Sequence, residues 1–251
     1  MDAENPVQGN YDKNADAYGQ FIATPLGTLE QQLFDLSIKD CDGLKVLDLG
    51  GGTGLRARDA LNAGARAVDV VDISREMMRL GQEYEKSIAR DCITWYHGDI
   101  SKSLDHLPLG PYDMVIANGI FDHAHNAEEL EKMWHNAAAY LKPGGRLIAN
   151  RNNPLSQSAA HGNYGVTFTD CQDFPGGLSF RYRTTTDPPL DFESTALEAY
   201  YSGSLEIPGK FFKDFQNVPW KETPVVKADP EFWKSYLAEP ILYIFTARKP
   251  E

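Results

Sequence analysis

The stretch Val46-Leu-Asp-Leu-Gly-Gly-Gly-Thr-Gly54 constrains this chain more than any other, because an apolar strand runs into a glycine turn and then into a helix. Glycine takes positive φ without a Cβ penalty and lets backbone approach a ligand, while the helix that follows offers N–H groups with no intrahelical partner. A nucleotide-like ligand fits against such a turn. Asp48, just ahead of it, sets the charge. A carboxylate there repels a pyrophosphate, and the turn runs G-G-G-T-G where dinucleotide sites have G-x-G-x-x-G. A ligand with a cationic centre is expected.

Four further elements follow in order. Ala67-Val-Asp-Val-Val-Asp72 reads as a strand whose final acid lies 18 residues after Gly54, the distance at which a β-α-β unit returns a carboxylate to ribose hydroxyls. His97-Gly-Asp-Ile100 offers Asp99 to an adenine amino group and Ile100 to the ring, with Ile73 as a second ring contact. Tyr112-Asp-Met-Val-Ile-Ala-Asn118 is a buried-strand pattern whose end, Asn118, lies beside the ligand. Leu141-Lys-Pro-Gly-Gly-Arg-Leu147 closes one helix and opens another strand.

This ordered set resembles the class I S-adenosylmethionine-dependent methyltransferases of small-molecule type, over residues 11 to 150. The resemblance implies an α/β, Rossmann-like fold: a seven-stranded, mostly parallel sheet with an antiparallel last strand and helices on both faces. It implies S-adenosyl-L-methionine as cofactor and S-adenosyl-L-homocysteine as product. Gly50, Gly52 and Gly54 would line the methionine part, Asp72 the ribose, and Asp99 with Ile100 the adenine; Asp48, Ile73 and Asn118 complete the set. Asp48 and Asp72 have a plainer alternative as strand-end caps of the helices that follow.

Helical spacing puts Tyr11, Ala15, Tyr18 and Ile22 on one face. The pattern Tyr-Asp-x-x-Ala-x-x-Tyr resembles the N-terminal lid of many small-molecule methyltransferases, in which Tyr11 and Tyr18 would close over the methyl donor; an aromatic stripe packed on the domain is the alternative. A second amphipathic helix is expected over 23–38, so that 11–38 form a helical lid. Alternating strands and helices then demand a parallel sheet with its ligand at the carboxyl ends of the strands. After Asn150 the periodicity gives way to turns and short alternating runs such as Leu178-Ser-Phe-Arg-Tyr-Arg183. Residues 151–205 read as an inserted β/loop cover that shapes an acceptor pocket, and 218–226 and 241–248 as the last two strands, joined by a helix around Pro230 to Leu237.

The later region has a weaker resemblance to the toxoflavin-pathway group of N-methyltransferases, through Tyr164-Gly-Val166, Thr186-Asp-Pro-Pro189 and Asp229-Pro-Glu-Phe-Trp233. It favours small heteroaromatic acceptors.

At 251 residues, with no low-complexity linker, the chain reads as one domain, 1–251. A net charge of -12 argues against a nucleic-acid partner, which needs a basic surface. The opening residues lack a secretory pattern, no run reaches the roughly 18 apolar residues of a membrane span, and three scattered cysteines suit a reducing compartment. The expectation is a cytoplasmic protein with a small-molecule acceptor, no membrane partner and no nucleic acid.

Methyl transfer from a sulfonium is an in-line displacement, so the protein chiefly holds donor and acceptor close, aligned and dry. Proton handling falls to Asn118-Gly-Ile-Phe-Asp-His-Ala-His125, just past the fourth strand. His123 is the first candidate base, because imidazole titrates near neutral pH, and Asp122 its neighbour candidate. Asp122 as the cap of a helix from about Ala127, and solvated histidines, are the alternatives. No metal site is expected, since Asp122-His-x-His125 lacks a third converging ligand. Tyr164, Tyr200, Tyr201 and Trp220 are aromatic positions for a flat acceptor or for the core. The resulting expectation is methyl transfer to N or O of a small metabolite in secondary metabolism. A non-catalytic S-adenosylmethionine-binding sensor or scaffold and an NAD-dependent oxidoreductase are the alternatives.

Overall fold

The computed structural model describes residues 20–251. Tyr11, Tyr18 and the first part of the expected lid lie outside the described residues. The first described helix, α1 (Pro25–Ser37), begins where Thr24 accepts the N–H of Gly27 and Pro25 occupies the first turn. Its Leu26, Leu29, Leu33 and Phe34 are buried.

Strands and helices then alternate: β1 (Lys45–Leu49), α2 (Leu55–Asn62), β2 (Ala67–Asp72), α3 (Arg75–Ser87), β3 (Ile93–His97), β4 (Tyr112–Ala117), α4 (Ala127–Ala139) and β5 (Leu141–Asn152). Three strands, β6 (Val166–Phe174), β7 (Gly177–Thr184) and β8 (Asp191–Leu197), form a separate antiparallel sheet, followed by the short α5 (Glu198–Tyr201). The chain returns to the main sheet through β9 (Lys213–Asn217), α6 (Pro224–Ala228), α7 (Lys234–Ala238) and β10 (Leu242–Arg248).

The main sheet has seven strands in the order β3-β2-β1-β4-β5-β10-β9. Strands β1 to β5 pair in parallel, and β10 runs antiparallel to both of its neighbours. Each central strand sorts alternate side chains onto two cores, as a period of two requires when helices cover both faces. Met114 and Ile116 join Val46, Val68 and the α1 leucines on one side, while Val115 and Ala117 join Leu47, Leu49 and the α4 residues Leu130 and Trp134 on the other. The fold is the Rossmann-like sheet expected from the sequence.

The penultimate strand differs from expectation. It is Lys213–Asn217, whereas 218–226 hold a 3-10 turn at Trp220–Glu222 and α6. Pro219 and Pro224 lack the N–H a ladder needs, so pairing stops before them. The final helix is also shorter than expected, running only from Lys234 to Ala238.

Candidate active site

A cavity of about 580 Å³ opens at the carboxyl ends of β1, β2 and β4, roofed by the three-stranded sheet. Its floor is the glycine turn. Gly50, Gly52 and Gly54 all have positive φ, at 69°, 53° and 78°. Gly50 and Gly52 line the cavity, and Gly54 does not: it is the N-cap of α2, and a Cβ there would meet Trp95 at 2.6 Å. The third glycine of the motif is thus required by helix packing against β3.

Asp72 ends β2 as expected and lines the cavity, but its carboxylate is engaged on both oxygens. Oδ2 accepts the N–H of Gly52 at 2.7 Å and Oδ1 that of Ser74 at 2.7 Å, so the acid ties the glycine turn to the start of α3. The cap of α3 is Ser74, which accepts from Met77, so Asp72 does not cap that helix, whereas Asp48 accepts the backbone N–H of Ala57 in the first turn of α2, as its plainer reading expects. Ile73, Asp99 and Ile100 line the same cavity. Asp99 Oδ1 accepts from both the N–H and the hydroxyl of Ser101, which fixes the carboxylate. Met77 also reaches the cavity wall.

Beyond the glycine turn lies a buried polar cluster. Glu30 of α1 accepts from Arg56 Nη2 at 2.8 Å and from Asn118 Nδ2 at 2.9 Å. Asp48 is 1% exposed, and burial pushes its carboxyl up to about 8, with Asp72 adding to the rise and the Arg56 guanidinium opposing it. Asp48 Oδ2 and Asn118 Oδ1 are buried without a hydrogen-bond partner. Both residues line the cavity, so a ligand there can supply the missing partners. Glu30 and Arg56 were not read as site residues, although an acid set among Leu26, Leu29 and Leu33 on an apolar helix face is itself a signal of a buried partner.

The 3-10 turn Phe121–His123 carries Asp122 and His123 into the cavity wall, against β8. Asp122 Oδ2 accepts from Asn152 Nδ2 at 2.9 Å. Burial lifts its carboxyl to about 7, opposed by the Asn152 hydrogen bonds and the charge of Arg151. Burial drives His123 down to about 4, helped by His125 and opposed by a hydrogen bond to Gly119. The cap of α4 is Asn126, not Asp122, and His125 is held by Glu129 at 2.9 Å. At neutral pH His123 is an uncharged imidazole and a weak base, and Asp122 is the group that titrates where proton transfer is most effective.

The roof presents alternate residues to the cavity: Phe168 of β6, Phe180 and Tyr182 of β7, and Phe192, Ser194 and Ala196 of β8. The aromatic positions singled out from the sequence lie elsewhere. Tyr164 stacks on Trp233 at 5.0 Å and bonds Phe232 O and Ser235, Tyr200 bonds Asn150 O in the other core, and Trp220 bonds Leu242 O. Two of the motifs behind the toxoflavin-pathway expectation, those of Tyr164 and Trp233, therefore pack on each other in the core. The signal for the roof was the alternation at 178–183, in which Phe180 and Tyr182 share one face and Arg181 and Arg183 the other.

Residues 46–145 match the family described as methyltransferase domain. That match covers less than half of the chain. The chain is similar to the squalestatin tetraketide synthase of Cochliobolus lunatus, 32% identical over 126 residues that make up 47% of this chain and 5% of that protein. It thus spans about one-twentieth of that relative's length. An uncharacterized protein of Haemophilus influenzae is 24% identical over 255 residues, covering 96% of this chain and 97% of that one. Among solved structures, the CcbJ methyltransferase of Streptomyces caelestis superposes with a TM-score of 0.65 at 19% identity, over 96% of this chain and 98% of that one. A likeness at that identity shows the fold.

The residues present fit S-adenosyl-L-methionine, the cofactor that the methyltransferase resemblance implies. The orphaned oxygens of Asp48 and Asn118 suit an ammonium group, the glycine turn leaves backbone room, and Asp72, Ile73, Asp99 and Ile100 supply carboxylates and apolar surface along the same wall. When bound, the sulfonium supplies an electrophilic methyl carbon. The described residues hold no group of three or more side chains suited to a metal ion, and none of their helices is long and apolar enough to cross a membrane.

Proposed function

We infer that the chain is a methyltransferase that moves the methyl group of S-adenosyl-L-methionine to N or O of a small, heteroaromatic metabolite. One observation carries the reading: a single cavity has orphaned polar oxygens at the glycine turn and an uncharged aromatic roof opposite. The polar end suits the aminoacyl part of the donor. The roof suits a flat ring, since aromatic faces gain from stacking beyond area alone.

A charge of -12 supports a small metabolite over a nucleic-acid acceptor, and three free cysteines, two of them exposed, suit a reducing cytoplasm. The reading is consistent with a role in secondary metabolism.

Incubating the protein with methyl-labelled S-adenosylmethionine and a cell-extract metabolite fraction tests the reading. Labelled small product together with S-adenosylhomocysteine is expected. Donor binding with no conversion across the fraction would favour the sensor or scaffold. Thermal stabilisation by NAD and not by S-adenosylhomocysteine would favour the oxidoreductase.

A further inference from the structure

The turn carrying Asp122 begins three residues after Asn118, at the donor end, and packs against β8 of the roof. Asp122 therefore sits where the two halves of the cavity meet. From β5, Asn152 holds one of its oxygens at 2.9 Å and also lines the cavity. The charged and titratable groups around Asp122 are Arg151 of β5, the Tyr200 phenol of α5, and His123 beside it in the chain.

The roof contributes no charged side chain to the cavity. Phe168, Phe180, Tyr182 and Phe192 form a ring cluster, with centroids of 5.3 Å for Phe168 to Phe180 and 5.1 Å for Tyr182 to Phe192. Arg181 points to the opposite face, where it pairs with Asp191 at 2.6 Å. An acceptor seated there meets aromatic faces and the Asp122 carboxylate, with the paired His125 and Glu129 also on the cavity lining.

The geometry points to Asp122 as the proton acceptor for a flat, uncharged aromatic acceptor whose reacting heteroatom carries hydrogen, with Asn152 as the residue that positions it. This rests on the methyltransferase reading above and narrows it. A lone pair of the heteroatom bonds the methyl carbon, and the carbon–sulfur pair stays on sulfur to give the thioether. The heteroatom's proton passes to the Asp122 carboxylate, and the carboxylic acid so formed returns it to water. A ring nitrogen with a free lone pair and no hydrogen gains nothing from this arrangement.

The full chain saturated with S-adenosylhomocysteine is titrated with 4-nitroaniline and with N,N-dimethyl-4-nitroaniline, the same uncharged ring without the N–H, and binding is followed by absorbance. The nitroaniline is expected to bind about tenfold tighter than its dimethyl analogue. Asp122→Asn abolishes that preference while S-adenosylhomocysteine still binds. Asn152→Ala keeps the preference but moves its pH midpoint upward, because the carboxylate loses a donor that favours its ionised form. Phe180→Leu weakens both probes about equally, by roughly tenfold. Failure of either probe to bind, equal binding of the two, or a preference that survives Asp122→Asn overturns the inference and leaves the methyltransferase reading intact. Failure of S-adenosylhomocysteine itself to bind removes both.

Discussion

Asp72 Oδ2 accepts the backbone N–H of Gly52 at 2.7 Å, so the acid at the end of one strand fixes the glycine turn that follows its neighbour. Its other oxygen takes the N–H of Ser74. Asp72→Ala strands two buried donors and is expected to cost about 1–3 kcal/mol for each that stays unsatisfied. Urea denaturation reads that loss, and calorimetry with S-adenosylhomocysteine reads a matching loss of affinity. An unchanged unfolding midpoint would mean that the turn holds its shape without the acid.

Gly50 and Gly119 separate two reasons for glycine. Both have positive φ, at 69° and 74°, but a Cβ at Gly50 would overlap Ile120 Cγ2, whereas none at Gly119 meets any atom within 4 Å. Gly119→Ala is expected to cost only the backbone term, about 1–2 kcal/mol. Gly50→Ala adds the overlap and should cost clearly more. In a double-mutant cycle Ile120→Ala should relieve part of the Gly50→Ala penalty; strict additivity would contradict the overlap.

Asp48 links the site to pH. Its folded-state carboxyl is raised from 3.8 to about 8, so the stability it contributes is fully present below about pH 4 and is lost as pH rises toward 8. The melting temperature of the ligand-free protein should fall across that window, with a slope of up to about 1.4 kcal/mol per pH unit from this group. Asp48→Asn should flatten the slope, leaving the smaller part from Asp122, which runs from about 4 to about 7. A ligand ammonium beside Asp48 favours the carboxylate, so S-adenosylhomocysteine should release a proton on binding at pH 7 and much less at pH 9. Binding heats in buffers of different ionisation enthalpy measure this, and equal heats at pH 7 would exclude it.

Glu30 joins α1 to the site through Arg56 and Asn118. Glu30→Ala leaves a buried guanidinium held by Asp59 at 3.1 Å, Gln31 at 2.7 Å and the Phe34 ring, and is expected to destabilise by about 3 kcal/mol. Glu30→Gln keeps an acceptor oxygen and should cost less. Equal unfolding midpoints for the two variants would show that the charge, not the acceptor, matters.

Much of the site follows from local chemistry. Asp48, Gly50, Gly52, Asp72, Ile73, Asp99, Ile100, Asn118, Asp122 and His123 were named from motifs, and all ten line one cavity. They could be named because a parallel sheet brings the carboxyl ends of its strands to one edge, so motif order gives position. Gly54 could not be separated from its neighbours in the same way, since only the approach of Trp95 shows that it serves packing. The penultimate strand was misplaced because a β-edge of five mostly exposed residues, Lys213–Asn217, has no apolar pattern to read.

What the sequence determined by itself was the order of strands and helices, the glycine turn and the acids at strand ends, all set by hydrophobic period and backbone freedom within short windows. Tertiary structure alone decided the rest: that Glu30, Arg56 and Asn118 share one buried cluster, that the roof aromatics and not Tyr164 or Tyr200 face the cavity, and that Asp122 rather than His123 titrates near neutrality. Each of these depends on which surfaces lose water when distant segments meet. Desolvation is a property of the packed chain, and no local pattern carries it.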